Sequence, residues 1–315
     1  MTKITKNKIT KSSTDNSMDK DSSRPTSNGM KIGFIGQGWI GKNYADNFEE
    51  RGYEVVRYAK EEPYDLNKET IALCDVVFIA VPTPTTTQGF DDSIVRMVVS
   101  LVGAGKTAVI KSTILPGTTE SIQKENPNIV VLHSPEFLVE ATVVHDVANP
   151  SRNIIGVPFF NERYRRAADQ VMELLPRAPY ENICTARESE LIKYGANAFL
   201  YTKVVFMNML YDLALKEGGS WEAVRDGVAS DARIGSSHMN PVHKTGRGAG
   251  GHCFIKDFAA FREEYERVVG DKLGGNLLRS FEAKNNDLLI SSKKDIKLLE
   301  ETYGDIEKIK TRLES

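Results

Sequence analysis

Apolar and polar positions divide the chain into two stretches of different rhythm. Between residues 31 and 133, short and nearly unbroken apolar runs occupy 31–35, 53–58, 74–81, 107–111 and 129–133. Runs of that length read as strands covered on both faces. Segments of helical spacing, such as 92–101, lie between them. Strands alternating with helices predict a parallel sheet with right-handed crossovers. From about residue 188 the rhythm changes: a long helix is expected over 188–216, further helices follow, and strand-like runs disappear. Leu191, Phe199 and Phe206 along that helix predict a mostly buried element.

The expected fold class is therefore α/β. A Rossmann-type doubly wound parallel sheet is expected over 30–185, and an all-helical central domain over 186–315. Residues 1–29 are rich in Lys, Ser, Thr, Asn and Asp, a composition that cannot bury enough apolar surface to offset its ordering entropy. They are read as a disordered tail, and they lack the apolar stretch of a signal peptide.

Composition narrows the function classes. The 315 residues suffice for two cores, and 40% hydrophobic with 27% charged residues is an ordinary globular mixture. A formal net charge of -2 gives no reason to expect nucleic acid. No apolar run is read as a membrane span. The three cysteines, Cys74, Cys184 and Cys253, are too sparse for a disulfide framework and match no zinc spacing. A cytoplasmic protein without a metal site is expected.

The first candidate site is Gly36-Gln37-Gly38-Trp39-Ile40-Gly41, which follows a strand and opens a helix. In that context G-x-G-x-x-G is the dinucleotide fingerprint. The first glycine permits the turn, the second lets backbone approach a pyrophosphate, and the third packs helix on strand. The acid that normally ends the second strand is missing: the sequence reads Arg57-Tyr58-Ala59-Lys60, with Ala59 at its place. Glu61 or Glu62 substitutes for it, or Arg57 and Lys60 receive a 2′-phosphate. NAD is the first expectation, with NADP not excluded.

The second candidate is the segment from Gly246 to Asp257, where a glycine-rich loop delivers Cys253 beside His252, Lys256 and Asp257. The glycines are expected to let a bulky substrate approach backbone. Lys256 or His252 is expected to favour the thiolate, the reactive form. Cys74 and Cys184 read as small buried hydrophobes. Lys193 and Asn197, four residues apart, share a helix face, and Asn208 returns to nearly the same face. Lys and Asn donors suit a developing alkoxide. Glu136 and Glu140 follow a strand end, as does Thr113; the glutamates are expected one turn apart, with Glu140 preferred as acid or base.

Together, GFIGQGWIG, FIAVPTPTT, KSTILPGTT, SPEFLVEATVVHDVANPSRNIIG, ESELIKYGANAF, DARIG and GRGAGGHCFIKD resemble the UDP-glucose/GDP-mannose dehydrogenase family, in the family's order. The resemblance implies oxidation of a nucleotide sugar at its 6-hydroxymethyl group to a carboxylate, with two NAD reduced and one water consumed. It implies that Cys253 forms a thiohemiacetal and then a thioester, that Lys193 and Asn197 stabilise oxyanions, that Thr113 and Asp257 hold water, and that Glu140 assists proton transfer. It implies cofactor contacts at Trp39, Ile40, Pro82, Thr83 and Thr113 beside the three glycines. Substrate contacts would come from Glu136, Phe137, Leu138, Lys193, Arg233, Gly250 and Lys256, with Arg233 reaching across a homodimer interface. The sequence departs from the pattern at Ile255 and Ala232, where the family usually has proline, and it stops at Ser315, where members usually continue into a third α/β domain. Two other functions compete: a two-electron hydroxyacid-type dehydrogenase, which needs Lys193 and Asn197 but not Cys253, and a non-catalytic NAD-binding regulatory protein.

Overall fold

The computed structural model describes residues 29–314. The tail read over 1–29 lies, apart from Gly29, outside the described residues. Seven strands form one sheet: β1 (Lys31–Ile35), β2 (Glu54–Tyr58), β3 (Val76–Ile79), β4 (Thr107–Ile110), β5 (Val130–His133), β6 (Asn153–Val157) and β7 (Glu181–Thr185). Their order is β2-β1-β3-β4-β5-β6-β7. The chain leaves β1 toward β2 and then returns to the other side of β1 with β3. That reversal opens a crevice at the carboxyl edge between β1 and β3, the place where open α/β sheets bind ligands.

The strands are apolar on both faces because each face has its own core. Ile32, Phe34, Val76, Phe78, Val109 and Leu132 join one cluster, in which the rings of Phe34, Phe48 and Phe78 lie 5.1–5.3 Å apart. Ile35, Val77, Ile79, Ala108, Ile110 and Val131 point the opposite way into a second. Period-two alternation thus feeds two cores at once.

The Rossmann-type sheet and the helical second half are as expected, with two local departures. The sheet is parallel only through β5. β6 meets β5 antiparallel through His133 and Gly156, and β7 then runs parallel to β6. β6 and β7 escape the sequence pattern because polar groups interrupt them. The second half is also not entirely helical, since Val242–His243 and Gly246–Arg247 pair as a small antiparallel hairpin.

The helices that build the site are α1 (Trp39–Glu50), α2 (Ala186–Lys216), α3 (Gly251–Val268) and α4 (Lys272–Ser291). α2 starts sharply because Thr185 and Glu188 form a reciprocal capping box. Its first turn sits on the sheet, where a Cβ on Gly156 would stand 2.7 Å from the Ser189 side chain. Further along, Tyr201 of α2 stacks on Phe258 of α3 at 3.8 Å. By length and composition α2 is apolar enough to cross a bilayer, contrary to expectation, with mean hydropathy 1.2 in its most apolar stretch. Its buried Glu190, Lys193 and Asn208 nevertheless all pair with other elements, as polar groups of a core helix must.

Leu191, Phe199 and Phe206 are not buried. They are 51%, 68% and 51% exposed, and Met209 and Leu213 extend the same apolar stripe. The long helix buries one side and leaves the other open.

Candidate active site

The glycine turn has the geometry of a dinucleotide cradle. Gly36 adopts φ +89° at the end of β1, and a Cβ there would lie 2.2 Å from the Ala80 carbonyl oxygen beyond β3. A Cβ on Gly41 would lie 1.9 Å from the Gly36 carbonyl oxygen. At Gly38 a Cβ would meet nothing within 4 Å, so the space before α1 is open. The N-cap of α1 is Gly38, whose lack of a side chain leaves the first N–H groups available to an anion. Trp39 is 39% exposed beside that opening. Pro82 is exposed, and Thr83 is buried with its hydroxyl donating to the Thr113 carbonyl at 2.8 Å.

Arg57 is already engaged. Its guanidinium donates to Asp46 and Glu49 of α1, each at 2.7 Å, and only 11% of its side chain is exposed. It is not free to receive a 2′-phosphate. Lys60, Glu61 and Glu62 are exposed.

The second cluster gathers side chains from three segments. α2 supplies Lys193 and Asn197, the segment after β5 supplies Glu136, and α3 supplies Cys253, Lys256 and Asp257. Lys193 Nζ donates to Glu136 Oε1 at 2.7 Å and to the Glu136 carbonyl at 2.8 Å, in a pair with side chains only 4% and 5% exposed. Burial pushes the Glu136 carboxyl up, but Lys193 and the Leu138 N–H outweigh it and hold the carboxyl below its ordinary range. Asn197 Nδ2 donates to Asp257 Oδ2 at 2.7 Å, and Lys256 Nζ to Asp257 Oδ1 at 2.5 Å. Burial opposes the charge on Lys256, yet Asp257 holds its pKa above the usual value. An ammonium has three donors and a carboxamide two. Each of Lys193 and Asn197 therefore keeps a donor for a further acceptor.

Cys253 lies in the first turn of α3, one helical turn before Asp257 and on the same face. The residue is exposed, while Asp257, Lys193, Glu136 and Lys256 all act electrostatically on its sulfur. Crowding of the sulfur by protein pushes the thiol pKa up and Asp257 adds to the rise; Lys193 and Lys256 oppose it without overcoming it. Lys256 favours the thiolate in direction, but crowding and the carboxylates outweigh it. The thiol pKa is raised chiefly because protein crowds the sulfur, with Asp257 and Glu136 adding to the rise.

The remaining site candidates are placed differently. Phe137 lies under the Arg152 guanidinium at 3.8 Å and 5.6 Å from Lys193 Nζ, so it borders the ion pair. Leu138 is partly buried beside it. Thr113 is buried near the carboxyl edge of β4. Glu140 is not one turn from Glu136. The chain from 134 to 139 is not helical, Glu136 is buried against Lys193, and Glu140 sits 71% exposed, paired with Lys244 of the hairpin at 2.5 Å. Arg233 is 90% exposed and bound to its own Asp231. Asn208 accepts from Arg247 Nε at 2.9 Å and secures the hairpin rather than joining the cluster.

Sequence reasoning missed two buried groups. Lys111, at the end of β4, donates to Ser134 Oγ at 3.2 Å and lies 4.5 Å from the Tyr44 ring centre. Burial pushes its pKa down to about 7, with Glu136 opposing. A lone lysine ending an apolar strand was the available signal. Glu190 of α2 accepts from Gly117 N, Thr119 N and Thr119 Oγ1 at 2.6, 2.9 and 2.6 Å. It thereby fixes the helix bearing Lys193 against the segment bearing Thr113.

Similarity to known proteins points the same way. The NAD binding domain of the UDP-glucose/GDP-mannose dehydrogenase family matches residues 64–173, and its central domain matches 187–287. UDP-glucose 6-dehydrogenase of Rhizobium meliloti is 32% identical over 277 residues, which is 73% of this chain and 62% of that one. The Pseudomonas aeruginosa enzyme of the same name is 34% identical over 259 residues, covering 76% and 52%. The chain thus spans little more than half the length of these relatives. A UDP-glucose dehydrogenase structure from Pyrobaculum islandicum superposes with a TM-score of 0.69 at 26% identity, covering 84% of this chain and 69% of that one.

Proposed function

The chain belongs to the UDP-glucose/GDP-mannose dehydrogenase family, and from that membership we propose that it oxidises the 6-hydroxymethyl group of a nucleotide sugar to the carboxylate, with NAD as acceptor. The observation that carries the reading is the convergence of Cys253, Lys193, Asn197 and Asp257 from separate helices into one cluster. When bound in the glycine cradle, NAD supplies the hydride acceptor for both oxidation steps. Engagement of Arg57 by Asp46 and Glu49 favours NAD over NADP.

In the first step the alcohol loses a hydride and a proton and becomes an aldehyde. The spare donors of Lys193 and Asn197 stabilise the developing alkoxide. Cys253 then adds to the aldehyde carbon, its proton passing to the oxygen, to give a thiohemiacetal. Because the thiol pKa is raised, its proton must leave as the carbon–sulfur bond forms. Loss of a second hydride and a proton leaves a thioester. Water adds to it, the carbon–sulfur bond breaks, and the acid and the thiol are released. Asp257, together with Thr113, positions that water, and Glu140 assists its deprotonation when the sugar displaces Lys244. Glu136, Phe137, Leu138 and Lys256 border the sugar, and Gly250 meets it only through its backbone.

The exposed stripe of Leu191, Phe199, Phe206, Met209 and Leu213 is the proposed homodimer face, across which Arg233, free of the chain's own cluster, reaches the partner's sugar. Three free cysteines fit a reducing cytoplasm.

The test incubates the protein with UDP-glucose and a panel of UDP- and GDP-sugars, counting NADH per sugar, with Cys253→Ala in parallel. Two equivalents that vanish in the variant support the thioester route. One equivalent, unaffected by the variant, replaces it with the two-electron reading.

A further inference from the structure

The loop that carries Cys253 is held from one side by residues of α4 and of the turn that follows it. Asn285 of α4 grips Ala249 twice, accepting from its N–H at 2.7 Å and donating to its carbonyl at 3.0 Å. Ser292 Oγ accepts from Arg247 N at 3.0 Å, and Lys294 Nζ donates to the Gly248 carbonyl at 2.8 Å. Asp295 Oδ2 accepts from Gly251 N at 2.7 Å, at the start of α3. The backbone of 247, 248, 249 and 251 is thus satisfied by four side chains from 285–295. Asn285 and Lys294 are themselves buried.

The turn that aims these side chains is strained. Lys293 and Asp295 adopt φ +56° and +51°, a left-handed conformation costly for residues with a Cβ. Such conformations persist where surrounding contacts over-determine them. Here the contacts are the ones to the loop.

The same clamp explains the glycines. A Cβ on Gly246 would lie 2.5 Å from Ser292 Oγ, one on Gly250 2.0 Å from Asp295 Oδ2, and one on Gly248 3.0 Å from Asn285 Oδ1. The expectation that these glycines make room for a substrate is corrected at these three positions, where the close neighbour is the chain's own clamp. Ser292, Lys294 and Asp295 lie beyond the match to the central domain, which ends at residue 287.

We infer that Asn285, Ser292, Lys294 and Asp295 are positioning residues that fix the Gly246–Gly251 loop and so set where the Cys253 sulfur stands. Cys253 is two residues past Gly251, the point held by Asp295. A freed loop displaces the thiol by a fraction of its own length, and a displacement of about 1 Å costs on the order of 100-fold in rate. The inference rests on the reading of Cys253 as the nucleophile for its consequence in turnover, but the clamp itself is measurable without substrate.

The test compares Asp295→Ala with Asp295→Asn, which keeps both the acceptor and a side chain tolerant of the left-handed turn. Three quantities are read in the full chain: amide hydrogen exchange at Ala249 and Gly251, the rate of Cys253 alkylation by iodoacetamide, and kcat against KM with the sugar that turns over. Asp295→Ala is expected to speed exchange and alkylation by about 10-fold or more and to lower kcat by a similar factor, with KM for NAD unchanged. Asp295→Asn is expected to stay near the parent in all three. Should Asp295→Ala not fold, Ser292→Ala serves in its place, with the same signs. Unchanged exchange and alkylation in the alanine variant overturn the inference, as does an asparagine variant impaired as badly as the alanine. Altered exchange and alkylation in a protein with no turnover on any sugar would leave the clamp standing and remove the proposed oxidation.

Discussion

Replacing Lys193 by Met removes the cation from a carboxylate that has little else to hold it. Glu136 Oε1 loses a 2.7 Å bond to Lys193, the Glu136 carbonyl loses one of 2.8 Å, and only the Leu138 N–H, at 2.8 Å, remains on the carboxylate. Breaking a buried pair from one side costs about 3–5 kcal/mol, because an uncompensated charge stays behind. Lys111, electrostatically coupled to Glu136, softens the loss, so about 3 kcal/mol is expected. Removing both charges, as in Lys193→Met/Glu136→Gln, should recover more than half of it. Urea unfolding measures the loss, followed through Trp39 in the sheet half and Trp221 in the helical half, each in a variant lacking the other. The pH dependence carries a sign. Because its folded pKa is depressed, Glu136 contributes stability above the ordinary carboxylate range and loses it as pH falls through the folded value. In Lys193→Met burial is no longer offset and raises the carboxyl, so the gap between parent and variant should narrow as pH falls from above the ordinary carboxylate range through the parent's depressed folded value. A loss under about 1 kcal/mol at neutral pH, or a double variant as damaged as the sum of the singles, would falsify the claim that this pair is a desolvated, mutually dependent unit.

Other outcomes follow from the same geometry. Gly41→Ala should lower stability by about 2 kcal/mol or more, whereas Gly38→Ala should leave the melting temperature in place and weaken NAD binding; calorimetric titration beside thermal melts separates the two, and equal destabilisation would sink the cradle assignment. Lys111 has a folded pKa of about 7, below its usual value, so its contribution is present above about 10.5 and lost as pH falls through about 7; the stability of the parent relative to Lys111→Met should rise with pH across that window, and a flat difference refutes the burial argument. Alkylation of Cys253 should keep accelerating above the range of an ordinary thiol, about 8.5, with a plateau below that value counting against the raised pKa. Phe206→Glu on the exposed stripe should shift the sedimentation coefficient from dimer toward monomer, and an unchanged coefficient removes α2 from the interface.

Much of the sheet was legible from the sequence because its signal is local. β1 through β5 are apolar runs broken by turn residues, and the three glycines carry steric demands that follow from position alone. β6 and β7 were not legible: Asn153, Gly156, Glu181 and Asn182 break the apolar pattern, and what makes them strands is pairing and the helix packed over Gly156. Lys193, Asn197, Cys253, Lys256 and Asp257 could be singled out by type and spacing. Which carboxylate faces inward could not, because the spacing of Glu136 and Glu140 does not report that Glu136 is buried against Lys193 while Glu140 stays exposed.

The sequence by itself determined the kind of chain this is: a dinucleotide turn at the head of an α/β series, a helical second half, and a cysteine delivered by a glycine-rich loop. Those depend on local sterics and on the periods of apolar residues, which neighbours along the chain decide. Only the tertiary structure decided that Glu136 pairs with Lys193, that crowding of its sulfur, with Asp257, raises the Cys253 thiol pKa, that one face of α2 stays open, and that the glycines beside Cys253 answer to Asn285, Ser292 and Asp295. Each of these is a balance between burial and a partner distant in sequence. Electrostatic and packing energies depend on separation in space, and separation along the chain does not report it.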